Sequence, residues 1–231
     1  MQRSVKPELL DALPARDKCA LRSRRDLRRL NVVMRHPSIA AGALQASLNG
    51  DPFRSIAELG AGDGFFLLRV ARRLSGRSPA VTATLVDRLD VFDSRILPEF
   101  SALGWDVKAE VADVLAWLNS GPSPVDALIS NLLLHHFQTE ELSGLLRLAS
   151  RTTNLFVALE PRRAMRALVC SHCVSLIGCG PVTRHDAAAS VRAGFAGSEL
   201  SGLWPDREGW RLVERPAGLF SHLFVARRRT S

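Results

Sequence analysis

The sequence predicts a doubly wound α/β domain, a mixed sheet of seven strands preceded by an N-terminal helical segment. Three observations carry this expectation. Short apolar segments alternate with helical stretches between residues 55 and 159, the rhythm of βαβ units. A glycine-rich turn follows the first apolar segment. Two further β-rich segments close the chain, and the linker Pro216-Ala-Gly218 between them is too short for a parallel crossover.

The first fifty residues read as helical, with Leu21, Leu27, Leu30, Val33 and Met34 spaced for one face. Pro37 and then Asn49-Gly-Asp-Pro52 break the chain. The expected division is therefore a helical lid or extension over residues 1–50 and one domain over residues 51–231. Within that domain, residues 55–59 form a first strand and 65–74 an arginine-studded helix; Gly76 and Pro79 punctuate before a second strand at 80–86. A helix is expected over 91–103, a strand over 107–111, and a short helix over 114–118. After the loop Gly121-Pro-Ser-Pro124 come strand 125–130, helix 139–150 and strand 154–159. Short, mostly apolar strands separated by helices belong in a parallel sheet buried on both faces, and right-handed crossovers place helices on each face. Segments 210–215 and 219–225 then pair as a hairpin, so the sheet is parallel apart from an antiparallel C-terminal strand.

A chain of 231 residues, 46% hydrophobic and 23% charged, matches an ordinary soluble globular protein. No run approaches the ~18 apolar residues of a membrane span, and no apolar stretch follows the charges of the N-terminus. A cytoplasmic location is expected. The formal charge is +8, almost all of it from arginine, since Lys6, Lys18 and Lys108 are the only lysines. Arginine in place of lysine, with abundant alanine, suggests a GC-rich bacterial genome. The basic residues are spread along the chain, with local clusters at 22–29 and 227–229, which reads as a solvated basic face; the alternative is a polyanion site. Cys19, Cys170, Cys173 and Cys179 need no disulfide scaffold in a chain of this size. Cys170-Ser-His-Cys173 superficially resembles a metal knuckle, but a closed zinc site takes four ligands, usually as two paired clusters. Small core cysteines and no metal site are expected.

In open α/β sheets ligands sit beyond the carboxyl ends of the strands. There the sequence places Glu58-Leu-Gly-Ala-Gly-Asp-Gly64. A dinucleotide fingerprint needs Gly-x-Gly-x-x-Gly. Counted from Gly60 the third glycine is replaced by Phe65, and counted from Gly62 by Leu67. The turn instead resembles motif I of the class I S-adenosylmethionine-dependent methyltransferases, a Rossmann-like family, and the resemblance extends over residues 55–225. It implies that Glu58 ends strand one, that Glu58, Gly60, Ala61, Gly62, Asp63 and Gly64 bind the cofactor, and that the glycines pass beneath its methionine and ribose portion. Asp87, with Arg88 beside it, ends strand two, where the family binds both ribose hydroxyls; a carboxylate suits a diol because it accepts two hydrogen bonds. Asp113 and Val114 follow strand three, where the family contacts adenine. Asn131 and Leu132 open Ser130-Asn-Leu-Leu-Leu-His-His136-Phe137, which looks like the motif IV region of small-molecule members that carry Leu-His-His. The implied cofactor is S-adenosylmethionine, leaving as S-adenosylhomocysteine.

Methyl transfer from a sulfonium chiefly requires positioning, and a phenol or enol acceptor also requires a base. His135 and His136 are the candidates. Neighbours at a strand end face opposite ways, so one of the two is expected to point at the acceptor; the sequence does not say which. Glu160-Pro-Arg-Arg163 is either a rim contact to an acidic acceptor or a helix start. Thr183-Arg-His-Asp186 has capping-box spacing and should start a helix through Val191, with His185 a further candidate to face the pocket. Asn31, Met34 and Arg35 would belong to the lid. The Asn/Asp-Pro-Pro-Tyr/Phe motif of amide and exocyclic nitrogen methylation is absent, and the apolar run 131–137 suggests a hydrophobic acceptor. Glu160-Pro-Arg-Arg-Ala164 and Arg192-Ala-Gly-Phe195 resemble bacterial methyltransferases that accompany polyketide synthases, implying small-molecule biosynthesis on a phenolic or polyketide-like acceptor, at oxygen rather than carbon. Two rivals stand beside this reading: a nucleic-acid (RNA) methyltransferase using the basic surface, and a non-catalytic binding module on the same fold. A monomer or homodimer is expected.

Overall fold

The computed structural model describes residues 1–48, 53–76, 80–171, 174 and 178–229. Asn49-Gly-Asp-Pro52, Pro79, His172 and Cys173 therefore lie outside the described residues. Helices α1 (Leu9–Ala12), α2 (Lys18–Val33) and α3 (His36–Leu48) precede β1 (Ser55–Leu59) and α4 (Phe65–Leu74). Then follow β2 (Val81–Asp87), α5 (Leu97–Ala102), β3 (Trp105–Val111), α6 (Val114–Asn119), β4 (Ala127–Asn131), α7 (Thr139–Thr152) and β5 (Leu155–Pro161). Helices α8 (Met165–Ser171), α9 (Pro181–Ala193) and α10 (Glu199–Leu203) lead to β6 (Trp210–Ala217) and β7 (Ser221–Arg228).

The seven strands lie in the order β3-β2-β1-β4-β5-β7-β6. Neighbours from β3 to β5 are parallel, and β7 runs antiparallel to both β5 and β6, the pairing with β6 being the one the short linker requires. Alternation along the strands divides the core in two. Ile56, Ile129 and Val157 point to a cluster with α3 and α4, whereas Ala57, Leu128 and Phe156 point to one with α6, α7 and α10. Each such Leu, Ile or Phe side chain contributes roughly 1.5–3 kcal/mol by leaving water. Helix α4 shows why its arginines do no harm: Phe66, Leu67, Val70, Ala71 and Leu74 are buried while Arg72 and Arg73 stay exposed. Strand order reverses between β1 and β4, and Leu59 pairs with Val86 of β2 and Ser130 of β4. The loops after these three strands are thereby gathered at one edge.

Several expectations need correction. The segment expected as one helix over 91–103 is a 3-10 turn at Ser94–Ile96 followed by α5. Pro37 does not end a helix but is the second residue of α3; the break is made at Arg35, with φ 59°. The first fifty residues are not one layer either, because Ala40, Ala41 and Leu44 of α3 belong to the main core. In α2 the buried positions are Ala20, Ser23 and Asp26, while Leu21 and Val33 are 46% and 58% exposed. The reason is polar. Asp26 accepts hydrogen bonds from Gly180 N at 2.7 Å and Thr183 Oγ1 at 3.1 Å, so its carboxylate caps α9 from a neighbouring helix, where a negative charge is favoured. Thr183 is correspondingly not an N-cap: α9 begins at Pro181 behind Gly180. In the hairpin, Pro216 and Ala217 are part of β6, and the turn lies at residues 218–220 with Gly218 at φ 85°. Among the described residues no helix is long and apolar enough to cross a membrane.

Candidate functional site

The turn after β1 is tied to β2 by Gly60 N and Ala61 N, which both donate to Val86 O, at 2.9 and 3.0 Å. Gly60, Gly62 and Gly64 all take left-handed φ values of 70°, 56° and 83°, which a side chain would strain. Their surroundings differ. A Cβ on Gly60 would meet Leu133 at 2.9 Å and one on Gly64 would meet Phe92 at 2.8 Å, but at Gly62 nothing lies within 4 Å. Two of these glycines serve packing; the middle one faces open space.

Asp87 stands beside that space. Its Oδ2 accepts from Gly62 N at 2.8 Å and its Oδ1 from Leu89 N at 2.9 Å, leaving each oxygen a further acceptor position. Asp63 is held by Arg28 of α2, whose Nε lies 2.6 Å from Oδ2 and whose guanidinium carbon lies 3.7 Å from the centre of the Phe65 ring. Glu58 is buried beneath the turn. Burial first, then the charges of Asp63 and Asp87, push its carboxyl pKa well above the usual range, and it accepts from the backbone of Leu67 in the first turn of α4. Glu58 Oε2 has no partner among the described residues. Asp113 is the N-cap of α6, with Oδ1 accepting from Leu115 N and Ala116 N at 2.9 and 3.0 Å, while Val114 is buried. Arg88 turns away from the glycines and donates to Asp11 Oδ1 at 2.6 Å.

Asn131 ends β4 in a buried polar chain. Its Oδ1 is 2.7 Å from His36 Nδ1, its Nδ2 donates to Asn31 Oδ1 at 3.1 Å, and His36 Nε2 is 2.6 Å from Ser221 Oγ. Burial lowers the His36 pKa to about 4. The ring is neutral: Nδ1 donates to Asn131 and Nε2 accepts from the Ser221 hydroxyl. The next residue, Leu132, takes φ 56°, a conformation costing a non-glycine about 1–2 kcal/mol.

That left-handed step removes the strand geometry from His135 and His136. They lie on a 3-10 turn at Leu134–His136, and their rings stand side by side, centres 4.2 Å apart, rather than on opposite faces. His135 is buried, with Nδ1 2.7 Å from Glu160 Oε2 and Nε2 3.4 Å from Glu8 Oε1. Burial alone would lower its pKa; hydrogen bonds and charge from Glu160 and Glu8 outweigh it and raise the pKa to about 9. His135 is thus an imidazolium with both nitrogens facing carboxylates. Against burial, the same contacts hold Glu8 and Glu160 below the ordinary carboxylate range. Glu160, fully buried, also accepts from the backbone N–H groups of Leu133, Leu134 and His135, at 3.0, 2.8 and 3.3 Å. It builds the histidine turn and has no rim position. His136 is 27% exposed at its side chain, with Nδ1 3.3 Å from Asp11 Oδ2.

Glu8 and Asp11 come from an N-terminal strap that sequence reasoning did not single out. Arg3 donates to Phe137 O at 2.9 Å and Ala193 O at 2.8 Å, and Asp186 accepts from Leu9 N and Leu10 N at 2.9 and 3.0 Å. Of the other candidates, His185 is 56% exposed at its side chain and bonds Asp186, not the histidine pair. Arg163 pairs with Glu199 and Arg162 donates to Gly218 O. Met34 and Arg35 line a groove of about 460 Å³ between α3 and the β6–β7 hairpin.

No family model and no curated protein matches the sequence. Solved structures do match. An O-methyltransferase family protein from Burkholderia thailandensis superposes with TM-score 0.62 at 17% identity over 95% of this chain, which spans 64% of that protein's length. The plantazolicin methyltransferase BpumL, in complex with S-adenosylhomocysteine, gives TM-score 0.68 at 13% identity over 95% of this chain and 93% of its own. Magnesium protoporphyrin IX methyltransferase from Synechocystis PCC 6803, also with that product bound, gives 0.54 at 14% identity over 92% and 100%. The chain has the Rossmann-like methyltransferase fold.

Proposed function

We propose that this chain is an S-adenosylmethionine-dependent methyltransferase acting on a small acceptor, at an oxygen atom. The observation that carries the reading is the pairing of Gly62 with Asp87. A cradle that a Cβ would fill lies beside a carboxylate whose two oxygens each keep an acceptor position for a diol. The donor set fits the cofactor. Asp87 would hold the ribose hydroxyls, Gly60 to Gly64 would run beneath the chain joining ribose and methionine, and Asp113 with Val114 would flank adenine. Asp113 Oδ2 accepts no hydrogen bond from the described residues. When bound, S-adenosylmethionine supplies an electrophilic methyl group on a sulfonium; two of the structural neighbours are methyltransferases with its product, S-adenosylhomocysteine, bound.

The rest belongs to the chain's own residues. Asn131, fixed by His36 and Asn31, sets the end of β4 as one wall of the site. Leu132 and Leu133 make that wall apolar, which favours a phenolic or polyketide-like acceptor over a nucleic acid. His136, oriented by Asp11, takes the acceptor's proton; an imidazole is suited to that task near neutral pH. His135 is a positioning residue, since both its nitrogens are committed to Glu160 and Glu8. His185, on the surface of α9, has no part in the transfer. The proposed setting is bacterial small-molecule biosynthesis in the cytoplasm, by a monomer or homodimer whose basic surface is solvated.

Incubation with S-adenosylmethionine labelled in its methyl group tests the reading, using separate pools of phenols and of RNA. Label is expected in the phenolic pool, dependent on His136. Label confined to RNA would overturn the acceptor class, and label in neither, with no cofactor bound, would leave only the binding-module alternative.

A further inference from the structure

We propose that Glu8, His135 and His136 form a binding site for a divalent transition-metal ion of the zinc class. One donor atom from each residue lies within 4.8 Å of the others. With zinc–nitrogen and zinc–oxygen bonds near 2.0–2.1 Å, tetrahedral donors stand roughly 3.4 Å apart. Glu8 Oε1 and His135 Nε2 are already 3.4 Å apart, so this pair needs no rearrangement to share an ion, which takes the place of the Nε2 proton and releases it to solvent. His136 needs only a side-chain adjustment, and at 27% exposure it has room for one. Asp11 Oδ2, 3.3 Å from His136 Nδ1, is placed to orient that ring.

A second feature separates this cluster from a chance meeting of charges. Metal-bound histidines generally donate their other ring N–H to a carboxylate, which fixes the tautomer and aims the free nitrogen at the ion. Glu160 does this for His135. It is fully buried, sits 2.7 Å from Nδ1, and is itself held by three backbone N–H groups of the same turn. A set of two imidazoles and one carboxylate suits zinc, cobalt or nickel better than magnesium or calcium, which prefer all-oxygen shells.

The site joins two parts of the chain. Glu8 lies on the N-terminal strap, and both histidines lie on the turn between β4 and α7. An ion here fastens the strap over the strand ends and takes His136 out of proton transfer. The ion therefore acts as a brake on methyl transfer; that consequence rests on the function proposed above, whereas ion binding does not.

The test uses the full chain, stripped with a chelator and titrated with Zn²⁺ by calorimetry and with Co²⁺ by visible absorption. One equivalent of each ion is expected to bind, the cobalt complex without a thiolate charge-transfer band. Glu8→Gln is expected to weaken binding at least about tenfold, and Glu160→Gln about 10–100-fold, as loss of an orienting carboxylate does. Cys170→Ser should bind like the wild type. His136→Gln serves as a second ligand variant, and far-UV circular dichroism confirms that each variant is folded. No stoichiometric uptake, uptake unchanged in both Glu8→Gln and His136→Gln, or a thiolate band would overturn the site. Uptake with an unchanged rate of methyl transfer would overturn the brake alone. Titration of the stripped chain with S-adenosylhomocysteine reports separately on the cofactor reading.

Discussion

Replacing Glu160 by Gln tests whether a buried ion pair builds the histidine turn. In the metal-free protein Glu160 is fully buried and receives His135 Nδ1 at 2.7 Å together with three backbone N–H groups. Gln keeps the shape but removes the charge and turns an amide N–H₂ toward some of those donors. Breaking a buried pair by removing one partner costs about 3–5 kcal/mol. For a chain of this length that lowers the melting temperature by roughly 6–20 °C. The pH dependence supplies an independent magnitude. Folding raises the His135 pKa from 6.5 to about 9, which stabilises the fold by about 3 kcal/mol. The folded chain holds that proton more tightly, so the contribution is complete below pH 6.5 and is lost as pH rises through 9. Urea unfolding in the presence of a chelator, at pH 6.5 and pH 9.5, measures both quantities. Wild type should lose about 3 kcal/mol between the two conditions, and the variant should be less stable at pH 6.5 with a much shallower alkaline loss. A variant within about 1 kcal/mol of wild type at pH 6.5, or one with an undiminished alkaline loss, would refute the reasoning.

On the acid side the sign reverses at His36. Its folded pKa of about 4 lies below the ordinary 6.5, so only the unfolded chain takes up the proton and stability falls as pH drops from 6.5 to 4. The loss should approach about 3 kcal/mol by urea unfolding, and His36→Gln should flatten that limb. His136→Ala should lower kcat by about 10²–10⁴-fold with affinity for S-adenosylhomocysteine unchanged; Asp11→Asn should give a smaller loss of the same kind. Gly62→Ala meets no neighbour within 4 Å and should cost only the 1–2 kcal/mol or so of a strained left-handed φ, yet calorimetry should show cofactor affinity reduced at least about tenfold by the intruding methyl. Gly64→Ala, which meets Phe92 at 2.8 Å, should instead be destabilised by thermal melting.

Local pattern made much of the fold and the donor end of the site legible. The mostly apolar β4 and β5 announced a sheet covered on both faces, and the short link before β7 required an antiparallel partner. The glycine turn and Asp87 could be found because each sits at the end of its own strand. The histidine end was not legible in the same way. Glu8 and Asp11 reach His135 and His136 from the opposite end of the chain, and no spacing signals that meeting. Leu132 adopts a conformation that its own side chain disfavours, so the expected strand-end alternation of the two histidines gave way to one turn. The start of α9 was misplaced because the Thr183 hydroxyl donates to Asp26, leaving Gly180 and Pro181 to begin the helix. For the same reason the inner face of α2 is polar, against its leucine spacing: the burial of Asp26 is offset by donors from α9 that lie far away in sequence.

Methyl transfer by this chain requires that the space beside Gly62 and Asp87 receive a methyl donor. Calorimetric titration of the metal-free chain with S-adenosylmethionine and S-adenosylhomocysteine, in parallel with Asp87→Ala, measures it directly. Wild type should bind with a Kd on the order of tens of micromolar or tighter. Asp87→Ala forfeits two charge-assisted hydrogen bonds, at about 1.5–3 kcal/mol each, and should bind at least about tenfold more weakly. No binding by the wild type in that range, or an Asp87→Ala isotherm indistinguishable from it, would contradict the account.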